Sequence, residues 1–175
     1  MRSLLPLLFV LAACSGVGRL AKEGERSEQA GDPEGAYASY RTAMLERPGH
    51  ARARAGAQRT GQQMILQLEA AASSAFLAGD HELGEQRWRT LNEFATRASV
   101  EGLVLRRDPQ VEERRLQARR SHVAGLYDRA VQAFEEERFL PCRELLNEVL
   151  TLEPDHAEAP HLRLMAELEP KYRLA

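Results

Sequence analysis

Apolar residues recur along the chain with the spacing of a helix face. Val123, Leu126, Tyr127, Ala130, Val131 and Phe134 follow an i, i+3, i+4, i+7 order, and Cys142, Leu145, Leu146, Val149 and Leu150 repeat it. Met64, Ile65, Leu68, Ala72, Ala75 and Phe76 mark one such stripe, and Trp88, Leu91, Ala95 and Ala98 another. Breakers divide the stripes: Gly31-Asp32-Pro33, Pro48-Gly49, Gly79-Asp80, Asp108-Pro109, Pro141, Pro154 and Pro170. Together they predict helices at 18–30, 33–46, 51–78, 81–105, 109–137, 141–151 and 155–168. Asp32 before Pro33 and Asp108 before Pro109 have the form of an N-cap followed by an N1 proline. Asp80 and Asp155 are expected to cap the fourth and last helices. No stripe runs all the way round its helix, so each helix must bury one face against a neighbour.

Composition points the same way. Of 175 residues, one is Ile, eight are Val and five are Thr, so a sheet protein is excluded in favour of an all-α one. A hydrophobic share of 43% is too high for a disordered chain. A formal net charge of -2 gives no reason to expect nucleic acid as a partner. Two cysteines exclude a disulfide-rich scaffold.

The first residues, MRSLLPLLFVLAAC, place Arg2 ahead of an apolar run from Leu4 to Leu11. The run is too short to cross a bilayer as a helix and reads as a signal peptide. Leu11-Ala12-Ala13-Cys14 resembles the lipobox of bacterial lipoproteins. The resemblance implies cleavage after residue 13, diacylglycerol on the Cys14 thiol, and no other cofactor. It also implies a short linker over 14–17 and a mature domain over 18–175. By resemblance to proteobacterial lipoproteins, Ser15 after the cysteine implies sorting to the outer membrane, facing the periplasm. Cys142 then remains the one free thiol, and its place in an apolar stripe predicts a buried small residue.

Two segments share a pattern: Ala36-x3-Tyr40-x2-Ala43-Met44-x3-Pro48-x2-Ala51 and Cys142-x3-Leu146-x2-Val149-Leu150-x3-Pro154-x2-Ala157. This resembles the second helix of a tetratricopeptide (TPR) repeat, in which small residues let two helices approach and a large one fills the gap to the next pair. Gly31-Asp32 upstream of the first segment and Glu137-Arg138-Phe139 upstream of the second fit the same family. The resemblance implies antiparallel helix-hairpin repeats, a TPR-like α-solenoid of about three degenerate repeats. It is clear over residues 31–57 and 122–168 and weak between them.

Candidate chemistry is sparse. The chain has no nucleophile elbow, phosphate loop, dinucleotide fingerprint or zincin motif, and an enzyme is not expected. His156 and His161 flank Glu158, but a spacing of five puts side chains about 140° apart on a helix, so no metal site is expected. Residues 106–120 carry six arginines against three acids. Arg114, Arg115, Arg119 and Arg120 are the candidate partner-binding residues, suited to an acidic partner or a lipid headgroup. The competing reading is a solvated helix face laced with ion pairs, Glu112 to Arg115 among them. Trp88 and the tyrosines are expected in the core, except Tyr37, expected to face outward.

The function these features imply is that of a membrane-anchored periplasmic scaffold or adaptor. It would bind a protein partner through its helical repeats in envelope assembly, secretion or motility. The alternative is a helical-bundle lipoprotein that binds a lipid or cell-wall fragment.

Overall fold

A computed structural model describes the backbone of residues 5–172 and the side chains of residues 16–169. Residues 1–4, which open the expected signal peptide, and the Cys14 side chain lie outside the described residues. The described chain is all helical: α1 (Leu5–Gln29), α2 (Pro33–Glu46), α3 (Ala51–Leu77), α4 (His81–Val100), α5 (Pro109–Glu135), α6 (Phe139–Leu152) and α7 (Ala159–Tyr172). None of the described helices is long and apolar enough to cross a membrane.

The helix ends show why the elements stop where they do. Asp32 accepts a hydrogen bond from the Gly35 amide at 2.9 Å and caps α2, with Pro33 at the first position. Asp108 likewise accepts from the Gln110 amide at 2.9 Å and caps α5. Two further caps are imidazoles. His50 Nδ1 accepts from the Ala53 amide at 3.1 Å. His156 Nδ1 accepts from the Glu158 and Ala159 amides, both at 3.3 Å. α7 therefore starts at Ala159 and is capped by His156, not by Asp155 at residue 155 as the sequence predicts. α4 stops at Val100 instead of reaching 105. Gly102 takes a left-handed φ of 77°, and the Gly102 and Leu103 amides turn back onto Ser99 and Ala98.

The chain forms two compact units. The first comprises residues through Ser74 together with Glu82–Val111. In it α1 packs on α2, and Ala36, Tyr40, Ala43, Ile65, Leu91 and Ala98 are buried. The Tyr40 ring lies between two glycines. A Cβ built on Gly24 of α1 would come within 2.9 Å of the ring, and one on Gly56 of α3 within 2.5 Å. A side chain at either place would force the ring to shift. The Tyr40 hydroxyl reaches the edge of the packing and donates to Glu28 at 3.0 Å. Tyr37, expected outward, is buried and meets Phe94 edge-on at 5.1 Å between ring centroids. Tyr37 and Tyr40, three positions apart on α2, both find covering elements, α4 for Tyr37 and α1 and α3 for Tyr40.

The second unit comprises Ala75–His81 and the chain from Glu112 onward. α6 packs on α7. Val123, Leu126, Ala130, Ala133, Cys142, Leu146, Val149, Ala159 and Ala166 form its core. Cys142 is a free, fully buried thiol, and desolvation raises its pKa. Both effects deny it thiolate character, so the native protein should react with an alkylating reagent far more slowly than the urea-unfolded chain. Equal labelling rates in the two states would place Cys142 at the surface.

Candidate functional site

The arginine-rich stretch is split by its secondary structure. Arg106 and Arg107 belong to residues 101–108, which leave helical geometry after Gly102. This segment is held along α3 by side chains spaced four residues apart. Arg54 donates to the Gly102 carbonyl at 2.6 Å. Gln58 both donates to the Val104 carbonyl and accepts the Val104 amide. Gln62 donates to the Arg106 carbonyl at 2.9 Å and accepts the Arg106 amide at 2.8 Å. Further on, Glu69 accepts the Asp108 amide at 2.9 Å. Every second residue of the segment is thus read through its backbone, while Leu103 is buried between and Arg107 lies over the Trp88 ring at 4.7 Å. No periodicity in the sequence announces this strap. Its signal is the row Arg54-x3-Gln58-x3-Gln62, which is legible only once its partner is known.

Each glutamine closes two hydrogen bonds of ordinary strength, together about 1–3 kcal/mol. Gln58→Ala with Gln62→Ala should therefore speed hydrogen exchange of the Val104 and Arg106 amides roughly tenfold or more. An unchanged rate at both amides would mean that the side chains do not hold the strap.

The four candidate arginines on α5 do not form one surface. Arg115 pairs with Glu112 at 3.4 Å, as the i+3 spacing predicts. The Arg119 guanidinium donates to the Leu152 carbonyl at the end of α6 and so closes a helix terminus. Arg120 is exposed. Arg114 lines a cavity of about 560 Å³ in the second unit. With it stand Arg129, His81, His122, Gln117 and Ser121, over an apolar floor that includes Phe76 and Leu126. The imidazoles of His81 and His122 stack at 4.5 Å, nearly parallel, and His122 Nε2 lies 3.8 Å from Glu148. No acidic side chain lines the cavity.

The other expected chemistry falls into structural roles. His156 is spent on its helix cap and stacks on Tyr127 at 4.8 Å, while the Tyr127 hydroxyl donates to Glu158 at 2.8 Å. Burial first, and the Glu158 carboxylate second, push the Tyr127 hydroxyl up to about 12. Among the described residues, no three His, Cys, Asp or Glu side chains gather closely enough to hold a metal ion. Of the acidic run, Glu135 ends α5, Glu136 pairs with Arg138 at 2.6 Å and Glu137 takes a left-handed φ of 61°. These acids build a turn.

Comparison with protein-family models, with curated proteins and with solved structures gives no match for this chain.

Proposed function

We propose that this chain is a non-enzymatic scaffold of the bacterial cell envelope. It is anchored by lipid on Cys14, faces the periplasm from the outer membrane, and binds a protein partner through TPR-like helix-hairpin repeats. The observation that carries this reading is a duplicated junction. Pro48-Gly49-His50-Ala51-Arg52-Ala53 and Pro154-Asp155-His156-Ala157-Glu158-Ala159 share Pro-x-His-Ala-x-Ala. In each, the histidine Nδ1 caps the next helix through the amide three residues on. Two copies of one local solution, each following a helix with a buried small-x3-large-x2-small face, are what repeated hairpins require. Tyr40 supports the same reading, since it fills the space between the helix before it and the helix after it.

The experiment is a crosslinked capture of the full-length chain from its native membranes, read by mass spectrometry, with Cys14→Ala as control. One stoichiometric protein partner, lost with the lipid site, is the expected result. A Cys14→Ala chain that still fractionates with the membrane would remove the anchor from the reading. Arg120, which is exposed, is the arginine to substitute first for a binding effect. Replacing Arg115 or Arg119 also breaks an ion pair or a helix-end bond.

One observation favours the alternative, a lipoprotein that binds a lipid or cell-wall fragment. The second unit's cavity has the volume of a small-molecule site, with cationic walls and an apolar floor. Native mass spectrometry of the protein from its own membranes would show a bound anionic amphiphile, and none after Arg114→Ala with Arg129→Ala.

A further inference from the structure

α3 carries the pattern that holds the strap twice. The first row is Arg54-x3-Gln58-x3-Gln62, and five residues on stands Arg59-x3-Gln63-x3-Gln67. Neighbouring residues of a helix lie about 100° apart, so the two rows run side by side along α3. The first row is filled by residues 102–106 of the chain itself. Gln63 and Gln67 of the second row are exposed, and neither side-chain amide is hydrogen-bonded to a described residue.

The first row shows why such a row fits an extended backbone. Four residues of helix advance about 6 Å, and two residues of extended chain about 6.6 Å. A primary amide at every fourth helical position therefore meets every second residue of a strand. Each amide offers an NH2 to donate and a carbonyl to accept, the complement of one residue's C=O and N–H. The mismatch of roughly 0.6 Å per step limits the match to a few rungs, as the first row's length reflects.

The second row faces open space of the right form. Gln63, Leu66 and Gln67 line a hollow of about 320 Å³ with Glu28, Gly31 and Pro33. A second hollow, of about 470 Å³, joins Gln63 to Gln62, Val104 and Arg106 at the edge of the strap. Leu66, 57% exposed and four residues after Gln62, offers an apolar contact in the same hollow beside the two glutamines. Arg59 differs from Arg54 in being bound already: it donates to Glu28 at 3.0 and 3.2 Å. The second row is therefore two amide rungs with an ion pair at one end.

We infer that Gln63 and Gln67 form a docking row for an extended segment of a partner protein, read through its backbone as residues 102–106 are read by Gln58 and Gln62. The inference rests on the scaffold reading above and names the site and the form of partner it takes. Recognition through backbone groups makes the row tolerant of sequence, with one preference, for an apolar side chain over Leu66.

The test uses random 12-residue peptides displayed on phage, selected on the immobilised full-length chain, with the best binders synthesised. Peptides should bind, and Gln63→Ala with Gln67→Ala should weaken them tenfold or more while circular dichroism and melting stay as in the parent. N-methylation of alternate peptide residues should weaken binding as much, and methylation of the intervening ones little. Binders indifferent to both glutamines would overturn the docking row and leave the scaffold reading standing. Binders that fold as helices on the protein would overturn it equally. Failure to select any binder would overturn the row and the peptide-binding reading together.

Discussion

Gly56→Val is expected to destabilise the first unit by about 3 kcal/mol or more, enough to unfold a marginal domain at moderate temperature. A side chain at 56 starts 2.5–2.6 Å from three atoms of the Tyr40 ring. The ring has little room to retreat, because it packs so closely on Gly24 that a Cβ there would stand 2.9 Å from it. Gly56→Ala brings two effects of opposite sign. Alanine favours the helix by about 1 kcal/mol, and overpacking costs about 1–3 kcal/mol. The trapped ring puts the balance on the side of loss. Trp88, the one tryptophan and a core residue of this unit, supplies the fluorescence signal for urea unfolding. A Gly56→Ala chain more stable than its parent would show that the ring has room to move. Pairing Gly56→Ala with Tyr40→Leu should recover part of the loss, which isolates the contact between the two positions.

The same ring gives this unit a pH limit. Burial first, then the hydrogen bond to Glu28, push the Tyr40 hydroxyl up to about 12 from 10. The folded state keeps the phenol neutral where the unfolded chain ionises it. Stability is therefore full below pH 10 and falls between pH 10 and 12. Glu28 behaves oppositely: its hydrogen bond from Arg59 holds its pKa below the usual value, so its contribution is present above 4.5 and lost on further acidification. Tyr40→Phe should shrink the alkaline limb of the first unit without abolishing it, because burial raises the Tyr37 hydroxyl in the same unit. The limb due to Tyr127, raised in the same way in the second unit, should remain.

Leu146→Ala is expected to cost the second unit about 2–5 kcal/mol. Leu146 has no exposed surface and shares its core with Ala130, Ala133, Ala159 and Ala166. The alanines have no rotamers with which to close a cavity, so refilling falls to larger neighbours such as Val123, Leu126 and Val149. Cys142 lies one helical turn before it in α6 and reports the opening directly. Its alkylation in native buffer should quicken by the factor that the stability loss predicts when labelling follows unfolding. A loss under about 1 kcal/mol would show that residue 146 is not the gap-filling position that its resemblance to Tyr40 implies.

These two residues also mark how far the sequence carries. Tyr40 and Leu146 stand at the same place in two segments of one pattern, and both are buried as that pattern requires. The helices, their proline and aspartate starts and the buried stripe around Cys142 are local matters. Spacing of 3.6 residues and the backbone chemistry of Pro, Gly and Asp decide them within a few neighbours. Tyr37 turns inward against the sequence expectation because an aromatic ring next to an inward stripe faces whatever the tertiary fold brings there, and here that is Phe94. The cap of α7 passed from Asp155 to His156 because the loop geometry sets which side chain reaches the free amides.

The sequence by itself determined an all-helical chain, its breaks and the stripes that each helix must bury, since all of these follow from residues near one another. Only the tertiary structure decided which arginines are spent on structure, where the stacked histidines meet, and that residues 102–106 lie on a row of amides. Apart from the local pair of Arg115 with Glu112, each of those depends on residues some tens of positions apart arriving in contact. No local spacing encodes that meeting until the core has brought the helices together.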